Sequence, residues 1–226
     1  SAASDVYKRQ DLAAGEQLFW MKYVLSSKSA IMWMSVLFFM STFSYWVGVA
    51  LRRQTPLMIG SKLAWAGVYM AGIGTLVRWF ESHQIAPDIG HIPVSNLYEV
   101  FVLFAWLTTL YWLYYEDRFE RAGKSLKGLG AFVMLIVSAS VCFMLWYAWT
   151  RDAGSIQPLV PALKSWWMKI HVPANFVGYG TFALAAMVAL AYLLKQATPK
   201  ALWTGLVAVP AVFIGLPLLG FALFGN

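Results

Sequence analysis

Charged residues are scarce in this sequence. Asp, Glu, Lys and Arg make up 12% of its 226 residues, whereas 60% of the residues are hydrophobic. Soluble globular chains carry about a quarter charged residues, so this chain has too few to cover a water-facing surface. The scarcity excludes a disordered protein, a coiled coil and an ordinary cytoplasmic enzyme. We expect that lipid is the solvent for most of the chain.

Cysteine is nearly absent as well. The single residue, Cys142, lies inside an apolar run, which excludes a disulfide framework, a cysteine zinc site and a CxxCH haem-attachment motif. The chain is therefore not itself a c-type cytochrome. A nucleophile paired with a base, paired catalytic carboxylates and a phosphate-binding loop are also missing. If the chain has a role in catalysis, we expect the chain to be one part of a larger enzyme complex.

Long apolar runs are what the sequence has in abundance. A membrane helix needs about 20 apolar residues. Six runs meet this need, at 29–51, 63–80, 97–115, 128–150, 170–194 and 201–225. The sequence therefore predicts an all-α, polytopic membrane bundle of six transmembrane helices. Arg78 lies near the end of the second run, where its side chain could snorkel to the lipid headgroups.

The same runs predict the division of the chain. Residues 29–226 form the transmembrane domain, which we expect to be incomplete at its C-terminus. Residues 1–28 form an N-terminal segment. Its polar first ten residues are unlike everything after them, which is typical of a non-native extension.

The net charge of +7 comes from 17 basic residues, most of them in short gaps between the apolar runs. This placement indicates membrane topology and contact with the lipid bilayer, and no nucleic-acid partner. The first, third and fifth gaps hold nine Lys and Arg residues, whereas the second gap has none. We therefore expect the second and fourth loops on the outer side. His83, His91 and His171 then all face outward.

The second loop carries two candidate residues, His91 and Glu99. Asn96 followed by Glu99 fits a capping box, in which each residue satisfies a free amide at a helix start. Glu99 could instead be a functional carboxylate at the membrane edge. His91 could be either a hydrogen-bonding residue at the interface or a ligand.

The fourth loop is rich in apolar and aromatic residues. Leu159, Val160, Leu163, Trp166, Trp167 and Ile170 recur at nearly helical spacing. The spacing predicts a short interfacial helix on the outer leaflet. Its tryptophans could form an aromatic belt or a flat platform for a planar ligand, with Lys164 near enough to bind the ligand's carboxylates.

His171 follows this segment at the start of the fifth run. A histidine at the lipid–water boundary can offer a neutral imidazole nitrogen to a metal. The alternative is a polar interfacial residue that binds a backbone carbonyl, and position alone leaves both interpretations open.

Two segments of the chain look familiar. GHIPVSNLYEV at 90–100 and LVPALKSWWMKIHVPANFVGYGTF at 159–182 resemble the CcsA/ResC family of system II cytochrome c biogenesis. Both motifs are long and occur in the family's order, and the resemblance covers residues 30–200. It implies a haem-handling protein of a bacterial cytoplasmic or thylakoid membrane.

The resemblance also implies partners and site residues. Members of the family act with a CcsB/ResB-type membrane partner and present haem b, as a transferred ligand, for attachment to apocytochrome c. The family's first outer histidine, an axial ligand of the haem iron, matches His171. Its His and Glu in the first motif match His91 and Glu99. We add Trp166, Trp167 and Lys164 to the expected haem-binding set because they lie close to His171 in the sequence.

One family feature is missing before Asn226. The tryptophan-rich WWD segment that forms the haem platform does not occur, and no histidine follows His171 to serve as the second axial ligand. We therefore expect the chain to stop before the platform. The alternative functions are a small-molecule permease, suggested by glycine-rich helices with Pro210 and Pro217, and a non-catalytic subunit of a membrane complex.

Overall fold

A computed structural model describes residues 22–85, 90–156 and 164–224 of the chain, and every regular element within these residues is helical. The long helices are α1 (Ser27–Leu51), α2 (Gln54–Ile85), α3 (Leu97–Arg121), α4 (Gly130–Arg151) and α5 (Met168–Gln196). A 3₁₀ turn, Lys127–Leu129, precedes α4. After α5 come α6 (Pro199–Trp203), a π-helical turn (Thr204–Ala208) and α7 (Val209–Phe224).

Five helical stretches of the described residues are long and apolar enough to cross a membrane, so the chain is a multi-pass membrane protein. They are Ser27–Leu51, Leu97–Arg121, Lys127–Arg151, Met168–Gln196 and Pro199–Ala222. Helix α2 contains the predicted second span but is not among them, although its 32 residues are about 48 Å long. The all-α prediction is confirmed, and the count of six spans is not.

Helices α1 and α2 pack along their whole length through a repeat of seven residues. Three glycines of α2 oppose three large residues of α1: Gly60 faces Tyr45, Gly67 faces Phe38, and Gly74 faces Ile31. Each glycine leaves room for the opposing side chain, and Tyr45, Phe38 and Ile31 are all buried. Small residues at such an interface let two membrane helices approach closely.

Tyr45 also ties α1 to α3 and α4. Its ring fills the space beside Gly130 at the start of α4. Its hydroxyl donates to Glu116 Oε2 of α3 at 2.6 Å and accepts a hydrogen bond from Trp112 Nε1 at 3.2 Å. Glu116 is buried. A buried carboxylate needs such a donor, because an unpaired charge in a low-dielectric interior is costly.

The short connections between these helices end in recognisable caps. Helix α1 stops at Arg52, which adopts the left-handed conformation with φ of 51°. Helix α3 stops before Gly123, whose φ is 74°, and the amides of Gly123 and Lys124 donate to the carbonyls of Glu120 and Phe119. This pair of bonds is the Schellman motif, which glycine favours because it has no Cβ.

The chain divides into two compact units, Ser1–Met187 and Val188–Asn226. The first unit contains α1–α4 and most of α5. Within it, α5 approaches α3 at Gly180, where an added Cβ would lie 3.1 Å from Thr108 Oγ1. In the second unit, α7 contains Pro217 as an interior residue.

The predicted interfacial helix of the fourth loop is not confirmed. Leu159, Val160 and Leu163 lie outside the described residues, as does the N-terminal segment up to residue 21. Trp166 and Trp167 form a turn, and α5 begins directly after it, at Met168. Ile170 therefore belongs to α5.

Substitution of Gly67 by alanine tests the glycine repeat. A Cβ at Gly67 would lie 2.5 Å from Cε1 of the buried Phe38, so we expect Gly67→Ala to destabilise the protein by about 1–3 kcal/mol, as overpacking does. Gly178 has no heavy atom within 4 Å of a Cβ, so Gly178→Ala is the matched control. Thermal unfolding in detergent measures both, and a Gly67→Ala protein as stable as the control would contradict the packing.

Candidate functional site

The most polar part of the bundle lies where α2 ends and α3 begins. Arg78 Nε donates to Glu99 Oε1 at 2.7 Å, and the two side chains are 2% and 3% exposed. The suggestion that Arg78 snorkels to the headgroups is therefore wrong. A carboxylate on the next helix draws the guanidinium inward, and the pair forms a buried salt bridge between α2 and α3.

The rest of the Arg78 guanidinium holds the chain just after α4. Nη1 donates to the carbonyl of Gly154 at 2.9 Å, and Nη2 donates to the carbonyl of Ser155 at 3.4 Å. The guanidinium carbon also lies 5.2 Å from the ring centre of Tyr98, which is a cation–π contact. One side chain thus connects α2, α3 and the segment that follows α4.

Glu99 joins this salt bridge to the start of α3. Its second oxygen, Oε2, accepts hydrogen bonds from the amide of Ser95 at 2.8 Å and the hydroxyl of Ser95 at 2.7 Å. Asn96 is the N-cap of α3, and its side chain accepts from the amide of Glu99. The predicted capping box is half present: Asn96 caps the helix, but the Glu99 carboxylate reaches Ser95 instead of the amide of Asn96.

His91 extends the same network. Its Nε2 lies 2.8 Å from Ser95 Oγ. Because the Ser95 hydroxyl already donates its proton to Glu99, the His91 bond needs Nε2–H as its donor. The backbone of His91 pairs with the Ser82 hydroxyl of α2. We call Arg78, Ser82, His91, Ser95 and Glu99 the polar cluster.

Two further contacts fix the helix ends around the polar cluster. Glu81 of α2 accepts hydrogen bonds from the amide of Ser27, at 2.9 Å, and from its hydroxyl, which joins α2 to the start of α1. Asn96 Nδ2 donates to the carbonyl of Ala153 at 3.4 Å. The start of α1, the end of α2, the start of α3 and the end of α4 therefore meet at one end of the bundle, which we call the cluster end.

His171 lies in the first turn of α5, as predicted, and it is exposed. Its Nε2 is 2.9 Å from Asn175 Nδ2, one turn further along the helix. Trp166 and Trp167 are 63% and 71% exposed, and their rings meet edge to face with centres 5.7 Å apart. Lys164 and Lys169 are exposed as well. An imidazole, two indoles and two ammonium groups thus share one short stretch.

Helix α5 meets α3 at Gly180, where an added Cβ would lie 3.1 Å from Thr108 Oγ1. His171 precedes Gly180 by nine residues, and Pro173 stands between them inside the helix. The structure thus places His91 and Glu99 in the polar cluster and His171 at the start of α5.

The predicted site residues fall into a buried group and an exposed group. The side chains of His91 and Glu99 form hydrogen bonds inside the bundle. The exposed side chains are those of His171, Trp166, Trp167 and Lys164. Within the described residues, no three His, Cys, Asp or Glu side chains gather to hold a metal ion. His171 would thus offer iron one ligand. The sequence did not predict Arg78, Ser82 and Ser95 as site residues, because no sequence pattern shows which residues of different segments will meet.

The helices and this concentration of polar groups define the class of protein. It is a polytopic helical membrane protein that buries a cluster of polar contacts at one end of its bundle. No solved structure matches the chain.

Comparison with known sequences gives the family. Residues 94–224 match the family model described as "Cytochrome C assembly protein". The chain is 34% identical over 130 residues to the "Cytochrome c biogenesis protein CcsA" of Chlamydomonas reinhardtii, an alignment that covers 55% of this chain and 34% of the relative. It is 31% identical over 166 residues to the CcsA of Gloeobacter violaceus, which covers 71% of this chain and 45% of the relative.

The chain therefore belongs to the cytochrome c assembly protein family and, within it, to the CcsA proteins. The family matched is the one that the two sequence motifs resemble, so that prediction is confirmed. The aligned part of the chain spans about a third to just under half the length of these curated relatives.

Charge removal at Glu99 tests the buried salt bridge. Glu99→Gln leaves the Arg78 charge buried without its carboxylate, and we expect a loss of about 3–5 kcal/mol of stability. The matched control is Asp117→Asn, which breaks a pair with Arg121 in which both side chains are largely exposed, Asp117 49% and Arg121 75%. Exposed pairs contribute about 1 kcal/mol or less. Equal losses in thermal unfolding of the two variants would contradict the burial of Arg78.

Proposed function

We propose that this chain is the haem-handling part of a cytochrome c biogenesis protein. It presents haem at the outer face of the membrane for covalent attachment to apocytochrome c, together with a CcsB/ResB-type membrane partner. Family membership supports the biogenesis role. The observation that carries the haem assignment is the exposed imidazole of His171 beside two exposed indoles at the start of α5.

The chemistry of this residue set suits haem as a bound substrate. Haem is a flat apolar ring with an iron at its centre and two propionates at its edge. Imidazole is a good ligand for haem iron. Trp166 and Trp167 offer apolar ring faces, and the ammonium groups of Lys164 and Lys169 match the propionates in charge. We assign His171 as one axial ligand, with these residues as contacts for the ring.

His91 and Glu99 support this site from the polar cluster. The hydrogen bonds from His91 through Ser95 to Glu99 fix the segment that enters α3. The protein then promotes the attachment of haem to apocytochrome c chiefly by proximity. It holds haem and the cysteine thiols of the apocytochrome in one place, and such positioning can replace a slow encounter between separate molecules.

We also propose that α2 spans the membrane, which brings the number of spans to six. The cluster end of the bundle then lies on the outer side. Helix α2 runs beside α1 from the Ser41–Gly60 contact to the Ser27–Glu81 contact, so it is as deep in the bilayer as its neighbour. Its polar residues Arg78 and Ser82 are buried against protein, where lipid does not meet them. The basic loops between α1 and α2 and between α3 and α4 then face the cytoplasm.

Cysteine labelling tests this topology. In a Cys142→Ala background, we expect Ser125→Cys to react with a membrane-impermeant maleimide only from the cytoplasmic side, because Ser125 lies in the basic loop after α3. Gln84→Cys, near the end of α2, serves as the counterpart and should react from outside. Both side chains are exposed. Labelling of Ser125→Cys from outside alone would reverse the assignment.

Replacement of His171 tests the haem site in the protein expressed from its complete gene. We expect His171→Ala to reduce co-purifying haem and cytochrome c maturation, because an axial ligand is lost. Added imidazole should restore part of both by filling the vacated position on the iron.

The control is His83→Ala. His83 is also exposed near the cluster end, but its ring bonds to the carbonyl of Trp79 within α2. We expect this variant to keep its haem. A His171→Ala protein with unchanged haem content and an unchanged absorption spectrum would refute the ligand assignment.

A further inference from the structure

We propose that the end of the bundle opposite the cluster end binds one anionic phospholipid, in a groove beside α2 and α3. The inference is independent of the haem site. Two adjoining cavities, of about 740 Å³ and 580 Å³, form the groove. Both are lined by Tyr114, Tyr115 and Arg121 of α3, and Trp65 of α2 lines the larger one. We call this concavity the arginine groove.

The length and polarity of the arginine groove match one leaflet of a bilayer. Leu110, Tyr114, Asp117 and Arg121 lie on one face of α3, because they are three or four residues apart. From Leu110 to Arg121 the helix rises about 16 Å. Half of a hydrocarbon core that is about 30 Å thick is about 15 Å. The groove is apolar at Leu110 and charged at Arg121, which is the order of acyl chain and headgroup in a phospholipid.

Two guanidinium groups stand at the charged end of the groove. Arg118 and Arg121 are both exposed and lie one turn apart on α3. Arg121 Nε lies 3.0 Å from Asp117 Oδ1 and 2.9 Å from Oδ2, which leaves Nη1 and Nη2 available. In the described part of the chain, the side chain of Arg118 has no hydrogen bond or ion pair. A guanidinium is a planar fork that matches the oxygens of a phosphate.

The balance of charge around the groove favours an anion. Asp117 is an acidic residue of the lining, and Arg121 offsets its charge. Arg118 then leaves the lining with a net positive charge. Lys62 is exposed and precedes Trp65 by three residues, so it lies on the same face of α2 and adds a second positive charge nearby. A ligand with a neutral or cationic headgroup would gain nothing from these side chains.

The walls of the groove suit the boundary between headgroup and acyl chain. Trp65, Tyr114 and Tyr115 are exposed, and tryptophan and tyrosine are enriched at the membrane–water interface. Basic pockets between membrane helices on the cytoplasmic side bind anionic lipid headgroups in other membrane proteins. With the topology proposed above, the lipid comes from the cytoplasmic leaflet.

The double variant Arg118→Gln, Arg121→Gln tests the site in the protein expressed from its complete gene and purified in detergent. Native mass spectrometry during titration with dioleoyl phosphatidylglycerol measures the lipid affinity. We expect the affinity to fall by about tenfold or more, because both phosphate contacts are lost. The parent protein should bind dioleoyl phosphatidylcholine much more weakly than the anionic lipid. Both arginines are exposed, so the double variant should unfold at the temperature of the parent when lipid is absent.

Two further variants separate this site from general attraction between charges. The double variant Arg52→Gln, Arg53→Gln is the matched control. It removes the same charge from exposed positions between α1 and α2, at the same end of the bundle and outside the groove lining. Its lipid affinity should stay close to that of the parent. Asp117→Asn should bind phosphatidylglycerol more tightly, because it removes a like charge and releases Arg121.

Three results would overturn the proposal. The first is equal lipid affinity in the parent and the Arg118→Gln, Arg121→Gln protein, or an equal loss in the Arg52→Gln, Arg53→Gln control. The second is competition by glycerophosphoglycerol, which has no acyl chains, as strong as that of the whole lipid, since the groove would then bind only a phosphate. The third is displacement of the lipid by haem together with loss of haem from the Arg118→Gln, Arg121→Gln protein, which would make haem the ligand.

Discussion

The buried salt bridge between Arg78 and Glu99 is the contact on which the cluster end of the bundle depends. It joins α2 to α3, and through the carbonyls of Gly154 and Ser155 it also holds the chain that leaves α4. Neither charge could stay at this depth alone, because an unpaired buried ion is too costly. The hydrogen bonds of Ser95 and His91 follow from it, since they complete the polar surroundings of Glu99.

Helix α2 carries more polar residues than the other long helices do. Two of them, Arg78 and Ser82, are buried against protein, whereas Lys62, His83 and Gln84 are exposed. Close contact with α1 makes this arrangement workable, because Gly60, Gly67 and Gly74 let the two helices approach. A helix whose polar residues meet protein partners need not be apolar on every face, and this is the physical basis of the proposal that α2 also spans the membrane.

The proposed site combines a buried polar cluster with exposed residues. The polar cluster is buried and its hydrogen bonds are directed inward, which suits a support that stays fixed. His171, Trp166 and Trp167 are exposed and have few contacts with the rest of the described chain, which suits residues that bind a further molecule. A rigid scaffold that presents adaptable binding residues is a common division of labour in proteins.

The sequence by itself determined the helical membrane class, the bounds of three of the five long helices (α1, α4 and α5) to within two residues, the N-cap at Asn96 and the position of His171 at the start of α5. These properties depend on neighbours along the chain: apolar runs, capping residues and motif spacing. The family, too, was readable from two continuous motifs. Only the tertiary structure decided that Arg78 turns inward, that Glu99 binds Ser95 instead of the amide of Asn96, and that Tyr45 meets Glu116. Each of these contacts depends on how the helices or a loop pack against one another. The order of apolar and polar residues along the chain does not specify which two side chains will meet.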